Sequence, residues 1–169
     1  MNRPEPSEYA PYYEGYVSLV PETDILTVLR DQNDELRSLV EAMPEERGTY
    51  AYAEAKWTVK ELLSHLIDGE KIFAYRALRI SRGDATPIEG FDQDPYIEHS
   101  HANERSFGDL IGEFDLNRRA NLVMFGNMRD PDWMRFGTAS DNAVSAKAVA
   151  WIMAGHVRHH VNILKERYL

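Results

Sequence analysis

The residues best equipped for chemistry in this chain are its six histidines: His65, His99, His101, His156, His159 and His160. In Gly155-His156-Val157-Arg158-His159-His160, two of them, His156 and His160, lie four residues apart. On a helix that spacing places both side chains on one face. From there two imidazoles reach a single cation at about 2.0–2.1 Å each. Both fall on an apolar stripe, where an unpaired imidazole is costly to bury. His65 lies on the inward stripe of a different helix and is the third candidate ligand. Three neutral imidazoles leave coordination positions open, which marks catalytic rather than closed structural sites. Water bound at such a position has its pKa lowered toward neutrality. Imidazole suits zinc, nickel, iron or copper and does not suit magnesium or calcium.

The same residue types also serve plainer purposes. A lone inward histidine such as His65 can be a core residue with a satisfied hydrogen bond, and histidines late in a helix complement its macrodipole. His159 points away from the His156/His160 pair and reads as solvent-facing. His99 and His101 sit in a loop and read as exposed, although they are within reach of the pair. Asp68, three residues after His65, either orients an imidazole or pairs with Lys71 or Arg76. Trp57, Trp133 and Trp151 read as core anchors. No catalytic residue is assigned. No Ser-His-Asp set, P-loop or dinucleotide fingerprint is present.

Helices must position these groups. A period of three or four runs through Ile25, Leu29, Gln32, Leu36, Leu39 and Met43 until Pro44 ends it. Thr58-Val59-Lys60-Glu61 forms a capping box, followed by an inward stripe of Leu62, Leu66, Phe73, Ala77 and Ile80. Gly83 stops this second helix. A third helix is expected from about Glu104 to Arg129 and a fourth from Ser145 to about Arg167. Almost no strand signal appears. The expectation is an all-α four-helix bundle filling residues 1–169 as one domain, with long connections before helices three and four. The loop from Gly83 to Ala102 is expected to border the open side of the metal, with Phe91 and Tyr96 shielding it. Residues from Trp133 to Asn142 are the alternative lid. Residues 1–22 carry Tyr9, Tyr12, Tyr13 and Tyr16 among four prolines; the prolines discourage a long helix and the tyrosines favour a segment packed on the body over a free tail.

Composition narrows the function. The chain has 169 residues, 43% hydrophobic, with 28 acidic against 19 basic side chains and a net charge of −9. That balance disfavours nucleic acid and anionic lipid. No signal peptide or apolar span is evident, so a cytoplasmic location is expected. Cysteine is absent, so any thiol chemistry uses a thiol brought in by a substrate.

The run Lys56-Trp57-Thr58-Val59-Lys60-Glu61-Leu62-Leu63-Ser64-His65-Leu66-Ile67-Asp68-Gly69-Glu70 resembles the second-helix motif of the DinB-like (YfiT/DinB) superfamily. Gly155 to His160 resembles its fourth-helix motif, and Phe73 to Arg79 with Gly90 to Asp94 resemble one branch of it. The resemblance spans about Tyr9 to Leu169. It implies a four-helix bundle holding a divalent metal on His65, His156 and His160, with zinc or nickel first and iron or manganese as further choices. It also implies homodimers and a small-molecule substrate, including low-molecular-weight thiols such as bacillithiol. Relatives often carry Glu directly after the first histidine of the fourth-helix motif, where this chain has Val157. The expected function is a metal-dependent enzyme of the thiol S-transferase or hydrolase type. The alternative is a non-catalytic metal-binding or stress-response protein.

Overall fold

The computed structural model describes residues 2–169. Closely spaced prolines keep the first segment in short turns at 6–8 and 11–13, and a single helical turn, α1 (Glu14–Val17), follows. Tyr9, Val17 and Val20 are buried, so this segment is docked, as its tyrosines imply.

The remaining helices are α2 (Ile25–Glu41), α3 (Val59–Ser81), α4 (Gln93–Glu98), α5 (Phe107–Gly126), α6 (Asp130–Trp133) and α7 (Ala146–Ile163). Each long helix starts at a side chain that accepts an otherwise unpaired backbone N–H: Asp24, Thr58, Ser106 and Ser145. Thr58 and Glu61 form the full reciprocal capping box. Gly83 ends α3 with φ +78°, a conformation that side chains rarely adopt. Two ends differ from expectation. The third long helix spans only α5, because Ser106 caps it, and α7 gives way at Leu164–Tyr168 to a π-helical turn.

α2 and α3 each pack on both α5 and α7, so these two helices, consecutive in the chain, occupy opposite corners. Contacts fix the directions. Phe73 meets His156 while His65 meets His160, so α3 and α7 are antiparallel. Lys60 lies over Phe107 while Glu70 pairs with Arg118, so α3 and α5 are parallel.

The protein is mostly helical but not purely so. Phe136–Ala139 (β1) and Asn142–Ser145 (β2) pair antiparallel. Ser140 and Asp141 connect them with φ of 49° and 62°, the sign pattern of a tight type I′ hairpin turn. The Gly83–Ala102 connection runs beside this hairpin. Ile88 N–H donates to the Thr138 carbonyl, and Ser140 N–H donates to the Ile88 carbonyl, both at 2.9 Å.

Two apolar clusters fill the bundle, one including Leu29, Phe73, Phe125 and Ala154, the other Leu36, Ile67, Phe114 and Val157. On each helix a polar residue falls between them. Arg118 bonds Glu70 through two nitrogens at 2.9 and 2.6 Å and also reaches the Leu29 carbonyl and Gln32. Gln32 in turn donates to the Ala154 carbonyl at 2.8 Å. One buried network therefore ties all four long helices together at the level of His156. Among the described residues no helix is long and apolar enough to cross a membrane.

Candidate metal centre

His65 sits on the second turn of α3 and His156 and His160 on the facing half of α7. Antiparallel packing brings the three together, each no more than 8% exposed. One ring nitrogen from each lies within 4.8 Å of the others. The Nε2 atoms of His65 and His156 are 2.8 Å apart, and ring centroids are separated by 4.7 to 4.9 Å. His160 Nδ1 is buried without a hydrogen-bond partner.

Burial, joined by repulsion from His159, pushes His65 down to about 4 and, with repulsion from His65 as well, His160 down to about 3. Burial and the neighbouring imidazoles hold His156 well below the usual range. All three rings are therefore neutral at physiological pH, the state in which imidazole ligates metal. The chemistry fits a transition ion. Donors about 2.0–2.1 Å from one ion subtend a near right angle when 2.8 Å apart, and a tetrahedral arrangement widens that gap by about half an ångström. The orphaned His160 nitrogen is a further sign of a missing partner.

Close approach at two glycines shapes the site. A Cβ on Gly69 would lie 3.0 Å from His156 Cε1, so this glycine leaves room for the imidazole. A Cβ on Gly155 would lie 2.1 Å from the Tyr16 carbonyl oxygen, so α1 rests directly on the α7 backbone. That contact sets the Tyr16 ring edge-on to His156 at 5.6 Å and to His159 at 5.5 Å. Burial, with Tyr12 beside it, pushes the Tyr16 phenol up to about 12 and keeps it a proton donor.

The centre opens on two sides. A cleft of about 480 Å³ reaches His65 and His156 between Tyr12 and Tyr16, Phe73 and Arg76 of α3, Phe91 to Gln93, and Ser140 and Asn142 of the hairpin. A second hollow of about 360 Å³ reaches His160 past Trp57 and Tyr168. Gln93 borders both. Both expected lids contribute to the first rim. Phe91 lines the cleft, whereas the Tyr96 ring lies tilted against Phe91 at 5.3 Å and faces other hollows.

Other candidates fall elsewhere. His159 is half-buried against Tyr16 rather than solvent-facing, and its nitrogens lie outside the converging set. His99 and His101 are exposed, the first bonded to the Pro95 carbonyl and the second beside Glu104. Asp68 neither bonds His65 nor pairs with Lys71 or Arg76. Lys71 pairs with Glu113 at 2.6 Å, and burial raises the Asp68 pKa. Trp133 and Trp151 are core residues, but Trp57 is not. It is half-buried, with its ring 4.7 Å from His65. Val157 packs in the apolar core, so its position offers the cleft no side chain. Arg76 and Tyr16 were not singled out by spacing, because the elements facing them come from distant parts of the chain.

A sequence profile of the DinB superfamily matches residues 29–164. YfiT from Bacillus subtilis, described as a probable metal-dependent hydrolase with an unusual four-helix bundle topology, has a similar structure. Its TM-score is 0.77 at 15% identity, covering 96% of this chain and 89% of YfiT. The mycothiol-dependent maleylpyruvate isomerase matches with a TM-score of 0.70 at 16% identity over 86% of this chain. The match takes in 61% of the isomerase, so this chain spans less than two thirds of it. No curated protein sequence matches.

Proposed function

Since the chain belongs to the DinB superfamily, we propose that it is a metal-dependent enzyme of the thiol S-transferase or hydrolase type, acting on a small molecule. The observation that carries this is the convergence of three buried imidazoles, His65, His156 and His160, the first two of which line an open cleft. YfiT and the isomerase, named above as a probable metal-dependent hydrolase and a mycothiol-dependent enzyme, support the same general chemistry.

In this proposal the three imidazoles hold one divalent transition ion, zinc or nickel before iron or manganese. Bound there, such an ion supplies Lewis acidity that lowers the pKa of a thiol or a water molecule and yields a nucleophile near neutral pH. The chain supplies the setting. Trp57 and Phe73 flank the ligating rings and limit water, which strengthens electrostatic interactions in the cleft. Tyr16, protonated and edge-on to His156, offers a hydrogen-bond donor to negative charge developing beside it. Because the chain has no cysteine, any thiol that reacts here arrives as a cosubstrate, and hydrolysis needs none. A homodimer in the cytoplasm belongs to the same proposal, and light scattering at micromolar concentration reads the assembly.

Metal analysis of untagged protein tests the proposal. We expect about one transition ion per chain, lost in His156→Ala and His160→Ala and kept in His159→Ala. Retention in the first two, or loss in the third, overturns the ligand set. Screens for thiol transfer to electrophiles and for ester hydrolysis then separate an enzyme from a metal-binding protein without turnover.

A further inference from the structure

Four cationic side chains are buried among the described residues: Lys60, Arg76, Arg118 and Lys147. Three have a carboxylate against them: Lys60 with Glu45 at 2.7 Å, Arg118 with Glu70 at 2.6 Å and Lys147 with Glu8 at 2.7 Å. Arg76 has none among the described residues, yet it is 3% exposed. Its Nη2 donates to Ser140 Oγ at 2.9 Å and its Nη1 to Tyr13 Oη at 3.4 Å, both neutral hydroxyls. Its buried Nε donates to nothing. A guanidinium carries five donors and cannot shed its proton in a protein. Removing it from water without an opposing charge is expensive.

Arg76 also lines the cleft that ends at His65 and His156. The Phe73 ring stands between the two ends, 5.9 Å from the Arg76 guanidinium carbon and 5.6 Å from the His156 ring. One small molecule lying along Phe73 therefore touches both. The acidic residue of the same cleft, Asp92, is engaged in capping α4, accepting from Asp94 N–H at 3.1 Å. The planar fork of an arginine matches a carboxylate through two parallel hydrogen bonds. Aromatic walls from Tyr12, Tyr16, Phe73 and Phe91 favour an organic body over a bare inorganic anion.

We propose that Arg76 is the docking point for the carboxylate of a small organic acid, whose reacting group then lies against the three histidines. This rests on the proposed metal-dependent function for the reacting end of the molecule, and on Arg76 alone for its carboxylate end. The chain is acidic overall, so attraction of the acid comes from this one buried cation rather than from the general field.

Benzoate, benzamide and inorganic phosphate are the probes, titrated into the full chain as purified and after chelation, and followed by ligand-observed NMR and calorimetry. Benzoate is expected to bind in the millimolar range in both preparations, with benzamide and phosphate at least about tenfold weaker. Arg76→Met should weaken benzoate at least about tenfold and leave benzamide unchanged. A purely structural role for Arg76, stapling the hairpin through Ser140, lowers the melting temperature without that selectivity. Equal binding of benzoate and benzamide by the wild type overturns the proposal, and so does phosphate as tight as benzoate. Benzoate binding that disappears on chelation, or that is unchanged in Arg76→Met, also overturns it. Should Arg76→Met fail to fold, the wild-type ratio of benzoate to benzamide decides. Metal content of the same samples keeps the two ideas apart. Selective benzoate binding without metal defeats the metal-dependent function alone, and metal without selectivity defeats the Arg76 assignment alone.

Discussion

Replacing Gly155 with alanine adds one methyl group where α1 rests on α7. The new Cβ would lie 2.1 Å from the Tyr16 carbonyl oxygen, 2.5 Å from its carbon and 2.9 Å from the Tyr16 Cα. These are backbone atoms, so no side-chain rotation relieves the clash and the segment must withdraw by about an ångström. Overpacking of this kind costs about 1–3 kcal/mol, and the rigid neighbours place it at the upper end. Alanine also favours a helix interior over glycine by about 0.5–1 kcal/mol. The net loss is then about 2 kcal/mol, which lowers the melting temperature of a chain this size by about 4–8 °C. Gly112→Ala in α5 is the internal control, because nothing lies within 4 Å of its added Cβ. There the helix preference acts alone and the melting temperature should rise by about 1–4 °C. Thermal melts of the chelated proteins, followed by circular dichroism, give the comparison. If Gly155→Ala melts at or above the wild type, the close approach of α1 to α7 is not as described, and neither is the placement of Tyr16 on His156.

Gly69→Ala should leave the chelated protein's melting temperature unchanged or raised but weaken metal binding about 10–100-fold, read by competition with a chelator, because its Cβ displaces the His156 ring. Metal at 100 times its dissociation constant should add about 2.7 kcal/mol, or about 5–11 °C, while chelation leaves the far-ultraviolet helical signal intact. Glu70→Gln strands Arg118 at 0% exposure and should cost about 3–5 kcal/mol by denaturant unfolding. Burial opposes ionisation of Glu8, but hydrogen bonds from Lys147, the Glu5 backbone and Ser145 outweigh it and lower the pKa below 4.5. Its contribution to stability is thus present above pH 4.5 and is lost as pH falls through the lower folded value. Glu8→Gln should accordingly flatten the acid limb of a stability–pH profile.

Features carried by neighbours in the chain were legible in the sequence. The capping box at Thr58 and Glu61 and the cap at Ser145 are short-range signals, and the structure starts α3 and α7 at both. The four-residue spacing of His156 and His160 is equally local, and so is the apolar stripe that carries His65. The hairpin was not legible. Its strands are four residues each, and the Ser140-Asp141 turn lacks the glycine that usually announces two residues with positive φ. Arg76 reads in the sequence only as a candidate partner of Asp68, because its actual hydroxyl partners, Tyr13 and Ser140, lie 63 and 64 residues away. Trp57 looked like a core anchor because aromatic residues beside an apolar helix usually are. Its place against His65 depends on how the chain enters α3.

The diagonal placement of α2 and α3 bears on how the chain folds. Bundles built from neighbouring helical hairpins begin with short loops, and their contacts are local and fast to form. Here the first two long helices to be made have no shared interface on which to pair. The α3–α5 contacts bridge 42 to 51 residues, the α2–α5 contacts 78 to 89, and the His65–His156 contact 91. Loop-closure entropy must therefore be overcome before any pair of long helices is rewarded. A helical hairpin of chain neighbours is not an available stepping stone, and folding should be slower than in an up-and-down bundle of equal length. The three imidazoles meet only through one of the longest of these closures, so the centre assembles with the finished bundle and is poorly placed to nucleate it.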